Sequence, residues 1–245
     1  SSNTMRRHHD LLSSALRSAV RQDVIPASPM ERVEPPRVRT TESYFYNNQE
    51  LKLLYQKIEG NILELAVKLA GSLGMRREEI CGLKWENVDL QRHLVLIREA
   101  RTAYGATIVQ KETKNRSSVR TLYLPDEVYL LLEQEQARQQ QERCLQSPTY
   151  NPTDHVILDA KGVPYSPNAL SLAFTRFVKK NDLPRLTFHG LRHTFATIAS
   201  CQGASLFDIG KALGHSTPAT TGRIYTHLVD RTHEELVQRV SDALK

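Results

Sequence analysis

Four prolines, Pro26, Pro29, Pro35 and Pro36, fall within eleven residues of the run IPASPMERVEPPRVRTTES. Proline has no backbone donor and disfavours helix in the residue before it, so this stretch reads as an extended linker. It divides the 245 residues unequally. Before it lies one amphipathic segment, residues 6–25, with Leu11, Leu12, Ala15, Leu16, Ala19 and Val20 at helical spacing. A lone helix has little against which to bury such a face. The segment therefore reads as the end of a domain whose remainder is absent, or as an arm docking on the main body.

Beyond the linker the pattern is dense. Residues 48–58 and 61–74 read as helices, the second closed by Gly74. RREEICGLKW (76–85) opens another. HLVLIREA (93–100), ATIVQKE (106–112) and RTLYLP (120–125) alternate apolar and polar residues. Gly105 and the polar run from Lys114 sit at the turns, so the expectation is an antiparallel meander of three strands. Helices are expected over 126–143, 166–182 (cap Ser166, then Pro167), 189–203, 205–214, 219–228 and 231–245, and a short extended piece over 155–159. The fold class is mainly α with a small three-stranded antiparallel sheet.

Composition narrows the classes without naming a function. Hydrophobic residues make up 40%, enough for a core. Mean hydropathy is −0.45, and no apolar run approaches the ~18 residues of a membrane helix. The opening segment has no apolar signal-like core. Three scattered cysteines, Cys81, Cys144 and Cys201, suit neither a disulfide framework nor a zinc site, and reduced thiols in a cytoplasmic protein are expected. The net charge of +6 is modest but uneven. From Arg98 to Arg120 six basic residues face two acids, and from 171 to 195 five face one. From Asp126 to Arg143 five acids face two bases, a stretch expected to point away from an anionic partner.

Several polar residues sit where packing does not require them. His189 and Arg192 share one face of a helix's first turn, where free amides and the helix dipole already attract anions. An ordinary cap or ion pair would explain the same spacing. Arg76 precedes Glu79 by three residues at another helix start and could present a planar donor fork to phosphate, with Glu79 as brace or simple partner. Lys114 lies at a basic turn, His215 follows a helix end at Gly214, and Tyr225 lies among Thr220, Thr221, Arg223 and Thr226. His193, about 100° round the helix from Arg192, reads as structural.

In chain order these residues are Arg76, Lys114, His189-x-x-Arg192, His215 and Tyr225. With them the sequence resembles the tyrosine recombinase (phage integrase) family. LAGSLGMRREEICGLKWENVDL (69–90) is similar to its first arginine box, TKNRSSVRTLYLP (113–125) to its lysine-bearing hairpin, the run 155–197 to the approach to its second box, and LGHSTPATTGRIYTHL (213–228) to the run into the nucleophile. The resemblance implies residues 1–42 as the last helix and linker of a core-binding domain, and 43–245 as a catalytic domain of the integrase fold. It implies site-specific cutting and rejoining of double-stranded DNA through a 3′-phosphotyrosyl intermediate, with no metal, ATP or other cofactor. It assigns Arg76 and Arg192 to the phosphate, Tyr225 as nucleophile, His189 as proton acceptor, His215 as a further donor, Lys114 as general acid and Glu79 as brace. It further implies assembly on DNA as a tetrameric synapse through the helix at 231–245, without a membrane. A binding module on the same fold and a type IB topoisomerase are the alternatives. The intact set of site residues speaks against the first, and relaxation of supercoils without site exchange would mark the second.

Overall fold

A computed structural model describes residues 2–37, 44–105, 107–112, 119–146 and 150–214. The chain separates into two compact units, Ser1–Ser43 and Tyr44–Lys245. In the first, α1 (Ser2–Arg21) is followed by a turn and a 3-10 helix at Pro29–Arg32. The helix begins before the expected residue 6 and stops short of residue 25, as the turn through Asp23 and the approach of Pro26 require. Its apolar residues Leu11 and Leu12 are exposed, and within the unit the His9 ring reaches Val33 O at 3.4 Å.

The second unit is built around α3 (Glu64–Leu73), buried at every residue but Ser72. Its two buried charges pair with each other, Lys68 Nζ lying 2.9 Å from Glu64, and Lys68 also meets Glu127. Around α3 stand α2 (Asn48–Ile58), α5 (Asp126–Gln146) and α7 (Phe188–Cys201). Helix α6 (Pro167–Lys180) packs on α4 (Arg77–Gly82) and α7, and α8 (Leu206–Leu213) packs on α7. Helix starts follow local chemistry. Asn47 and Glu50 form a reciprocal capping box on α2, and Ser166, Thr187 and Ser205 accept backbone N–H groups at the starts of α6, α7 and α8. The main core joins Leu54, Ile58, Leu69, Met75, Ile80, Val95, Leu124, Leu132, Phe174 and Leu191.

The strands differ from the expected meander. One sheet runs β1 (Val88–Asp89), β2 (Leu94–Ile97), β5 (Arg120–Tyr123), all antiparallel. A separate hairpin pairs β3 (Glu99–Tyr104) with β4 (Thr107–Glu112). The segment expected as one strand over 93–100 is thus cut at Arg98, and its halves pair with different partners. Burial explains the cut: Val95 and Ile97 face the core, whereas β3 is only half-buried. The three-stranded sheet therefore takes its third strand from 88–89, not from 106–112. The expected helices at 219–228 and 231–245 lie outside the described residues, as does the turn at Lys114.

Candidate active site

The site is assembled where three helix ends meet. Helix α3 closes on Gly74, whose φ of 65° is left-handed, and a Cβ there would lie 2.6 Å from both Leu213 and Phe195. Two residues on, Arg76 is the N-cap of α4 in extended geometry. Glu79, three residues into that helix, accepts from the Arg76 backbone N–H at 2.8 Å and from Arg76 Nη1 at 2.8 Å. The i,i+3 pairing read from the sequence is therefore present.

A third arginine completes the arrangement. Arg120, at the start of β5, donates through Nη1 and Nη2 to the two oxygens of Glu79 at 2.9 and 2.8 Å. Its Nε donates to Ala212 O at 2.7 Å. Glu79 is 2% exposed and accepts four hydrogen bonds, so its lone pairs are filled. Burial raises the cost of its charge, but the fork of Arg120 and the charge of Arg76 outweigh it and lower the carboxyl to about 2. Such a carboxylate is a fixed anion and orients its guanidinium neighbours; it does not trade protons near neutrality.

Arg192, on α7, is buried and donates to Gly74 O and Leu213 O, both at 2.6 Å. Arg76 Nη2 donates to Gly214 O at 3.0 Å. The successive carbonyls 212, 213 and 214 at the C-terminal end of α8 thus each receive a different guanidinium, from Arg120, Arg192 and Arg76. A helix C-terminus carries partial negative charge and favours cations, which accounts for the convergence. Arg76 and Arg192 are thus tied to consecutive carbonyls, Gly214 O and Leu213 O. Glu79 serves two of these guanidiniums, those of Arg76 and Arg120, whereas Arg192 donates to the carbonyls of Gly74 and Leu213.

His189 lies in the first turn of α7 and is exposed. Desolvation of the ring among its neighbours, then the charge of Arg192, pushes its pKa below the ordinary histidine value and so favours the neutral ring. His193 is four residues along the same helix, and its ring meets His189 edge-on at 4.8 Å between centroids. Burial first, then His189 and Arg192, lowers His193 to about 4. The angular argument that set His193 apart from Arg192 holds, but at i+4 from His189 it shares that residue's face.

The structure therefore brings together Arg76, Glu79, His189 and Arg192. Lys114, His215 and Tyr225 lie outside the described residues, although His215 is the residue after Gly214, whose carbonyl Arg76 holds. Arg120 is the residue that sequence reasoning missed: it had been counted into the basic excess of the hairpin. A signal existed. Residue 120 is in phase with the buried Leu122 of β5 and with Leu124 just beyond it, and an arginine there requires a buried acid. Among the described residues no three His, Cys, Asp or Glu side chains are placed to hold a metal ion, and no helix is long and apolar enough to cross a membrane.

Comparison with known proteins bears on the same region. The sequence profile described as the phage integrase family matches residues 45–232, and the chain belongs to that family of tyrosine recombinases. Among its relatives, it is 26% identical over 233 residues to a tyrosine recombinase XerC-like protein of Caldanaerobacter subterraneus, covering 89% of this chain and 58% of that one. It is 23% identical over 235 residues to the ICEBs1 integrase of Bacillus subtilis, covering 95% and 64%. The chain thus spans less than two thirds of these relatives' length. In fold it is similar to the Tn1549 transposon integrase solved with a circular intermediate DNA, with a TM-score of 0.80, 21% identity and coverage of 96% of this chain and 79% of that one. It is also similar to XerA recombinase, with a TM-score of 0.62, 24% identity and coverage of 85% and 68%.

Proposed function

We propose that residues 43–245 are the catalytic domain of a site-specific DNA recombinase that cuts and rejoins strands through a 3′-phosphotyrosyl intermediate. Residues 1–42 would be the last helix and linker of the preceding DNA-binding domain. The observation that carries the reading is the pair of guanidiniums, Arg76 and Arg192, held on the consecutive carbonyls Gly214 O and Leu213 O, with His189 near enough for their charge to lower its pKa.

Phosphoryl transfer develops charge on the non-bridging oxygens, so the protein contributes mainly clamping and positioning. Two fixed forks suit those two oxygens. Tyr225 attacks phosphorus, its phenolic proton passing to His189, and the bond from phosphorus to the 5′-oxygen breaks. Lys114 protonates the departing 5′-oxygen, and His215 donates to the phosphate. In the return step the 5′-hydroxyl of a second strand attacks phosphorus, giving its proton to Lys114, and the bond to tyrosine breaks as Tyr225 takes its proton back from His189. Bond energy is kept in the covalent intermediate, so the cycle closes without a cofactor. The partner is double-stranded DNA, and assembly is a tetrameric synapse through 231–245.

Covalent trapping on a nicked cognate site tests the reading. Tyr225→Phe binds the duplex but forms no adduct. Adducts that persist in this variant would assign the nucleophile elsewhere.

A further inference from the structure

Arg120 has no part in the chemistry just described, yet it is the best-connected side chain of the knot. Its side chain is 7% exposed. It meets Glu79 bidentately and Ala212 O through Nε, so one guanidinium joins β5, α4 and the end of α8. A Cβ on Gly214 would lie 2.9 Å from Arg120 Nη1 and 3.3 Å from its Cδ, so the chain leaving α8 runs directly over it. Lys114 precedes Arg120 by six residues and His215 follows Ala212 by three.

We propose that Arg120 is a positioning residue of strand cleavage: through Glu79 it fixes the guanidinium of Arg76, and through Ala212 O it fixes the end of α8 from which the segment of His215 and Tyr225 departs. The inference rests on the catalytic reading above. Three features support it. Glu79 spends one oxygen on both Arg76 Nη1 and Arg120 Nη1, so the two forks are set by a common atom. The other oxygen joins the Arg76 backbone N–H and Arg120 Nη2 in the same way, so the backbone of Arg76 is held as well as its tip. And the Arg120 side chain is only 7% exposed, as suits a residue that holds its neighbours in place.

The linkage has a readout independent of DNA. In the full chain labelled with nitrogen-15, the two Nη signals of Arg76 should be resolved by hindered rotation, and are assigned by their loss in Arg76→Lys. Arg120→Gln and Arg120→Lys should merge or shift them. Arg120→Lys retains a cation in the core, and it decides the matter if Arg120→Gln does not fold. On nicked duplexes taken from the DNA flanking the chain's own coding sequence, both variants should bind within about twofold of the parent. Their single-turnover adduct rates should fall by about 10-fold for Arg120→Lys and about 100-fold for Arg120→Gln, the scale of losing one preorganised donor.

Unaltered Arg76 signals in a folded Arg120→Lys protein would overturn the proposal, as would an unchanged adduct rate. A loss arising wholly from weakened duplex binding would also overturn it, making Arg120 a DNA contact. If the parent chain forms no adducts on these duplexes while its Arg76 signals still depend on Arg120, the catalytic reading fails and the linkage stands.

Discussion

Two of the buried polar networks among the described residues of the second unit are built on opposite terms. The knot of Arg76, Glu79, Arg120 and Arg192 is ionic and carries more cation than anion. A second network is centred on the side-chain amides of Gln110, Gln139 and Asn151. Asn151 donates to Gln139 Oε1 and His155 O, and its own oxygen accepts from the His155 N–H. Gln139 accepts from Trp85 Nε1 and donates to Val156 O and Glu135. Through His155 and Gln110 the network extends to Gly82 O at the end of α4. The carboxylates at its edges are themselves paired, Glu135 with Arg138 and Glu99 with Lys84. The neutral network fixes a loop; the ionic knot leaves guanidiniums clustered on helix ends, which packing alone does not need. The difference teaches where to look for function: guanidiniums gathered from three separate elements onto one helix end mark the cluster to test for binding, and an amide network that ties a loop marks the one to test for stability.

Substitutions can break this comparison, and the largest effect belongs to the knot. Glu79→Gln removes the one carboxylate shared by two guanidiniums. Stability should fall by about 3–5 kcal/mol, the scale of a buried pair left without its partner. Urea unfolding of the full chain measures it, and adduct formation should fall in the same variant. Asn151→Ala, in the neutral network, should cost about 2–3 kcal/mol for three lost hydrogen bonds, with added strain because Asn151 sits at φ 45°. Adduct formation at a temperature where the variant is folded should stay within about threefold of the parent. Equal damage to chemistry from both substitutions would erase the distinction.

A smaller effect comes from pH. Burial first, then the charges of Arg101 and Lys84, lowers His155 to about 4, against an opposing pull from Glu99. The folded value lies below the unfolded one, so the unfolded chain takes up the proton first. The contribution is fully present above about pH 6.5 and is lost as pH falls through about 4, on the order of 2 kcal/mol. Glu79 follows the same sign in a lower window, holding above its ordinary value of 4.5 and failing as pH falls through about 2. Unfolding free energies measured from pH 7 to 4 should therefore drop, and His155→Gln should flatten that drop. A slope unchanged by the substitution would place the titration elsewhere.

The sequence made local features legible and left pairing across distance hidden. Helix starts at Asn47, Ser166 and Ser205 are declared within four residues, because a cap and its acceptors are chain neighbours. The Arg76–Glu79 pair was visible for the same reason, being one helical turn apart. Arg120 finds Glu79 across 41 residues, and its carbonyl acceptor lies 92 residues away. No spacing rule reaches so far; only its phase on β5 hinted at burial. The break at Arg98 was likewise hidden, since alternation marks a strand without saying which strand will pair with it. The contact of His193 with His189 was hidden because His193 was referred to Arg192 and not to His189, its neighbour one turn back.

The central claim is that the surplus charge of the knot exists to neutralise a phosphate in the transition state. The most direct measurement compares adduct rates on two nicked cognate duplexes, one with an ordinary phosphodiester at the cleavage position and one with an uncharged methylphosphonate. Arg192→Ala should be about 1,000-fold slower than the parent on the phosphodiester, the upper scale for one lost donor to developing charge. On the methylphosphonate, which has one anionic oxygen fewer to clamp, the deficit should shrink to about 10-fold or less. An equal deficit on both substrates would contradict the claim and reduce Arg192 to a buried tie between the ends of α3 and α8.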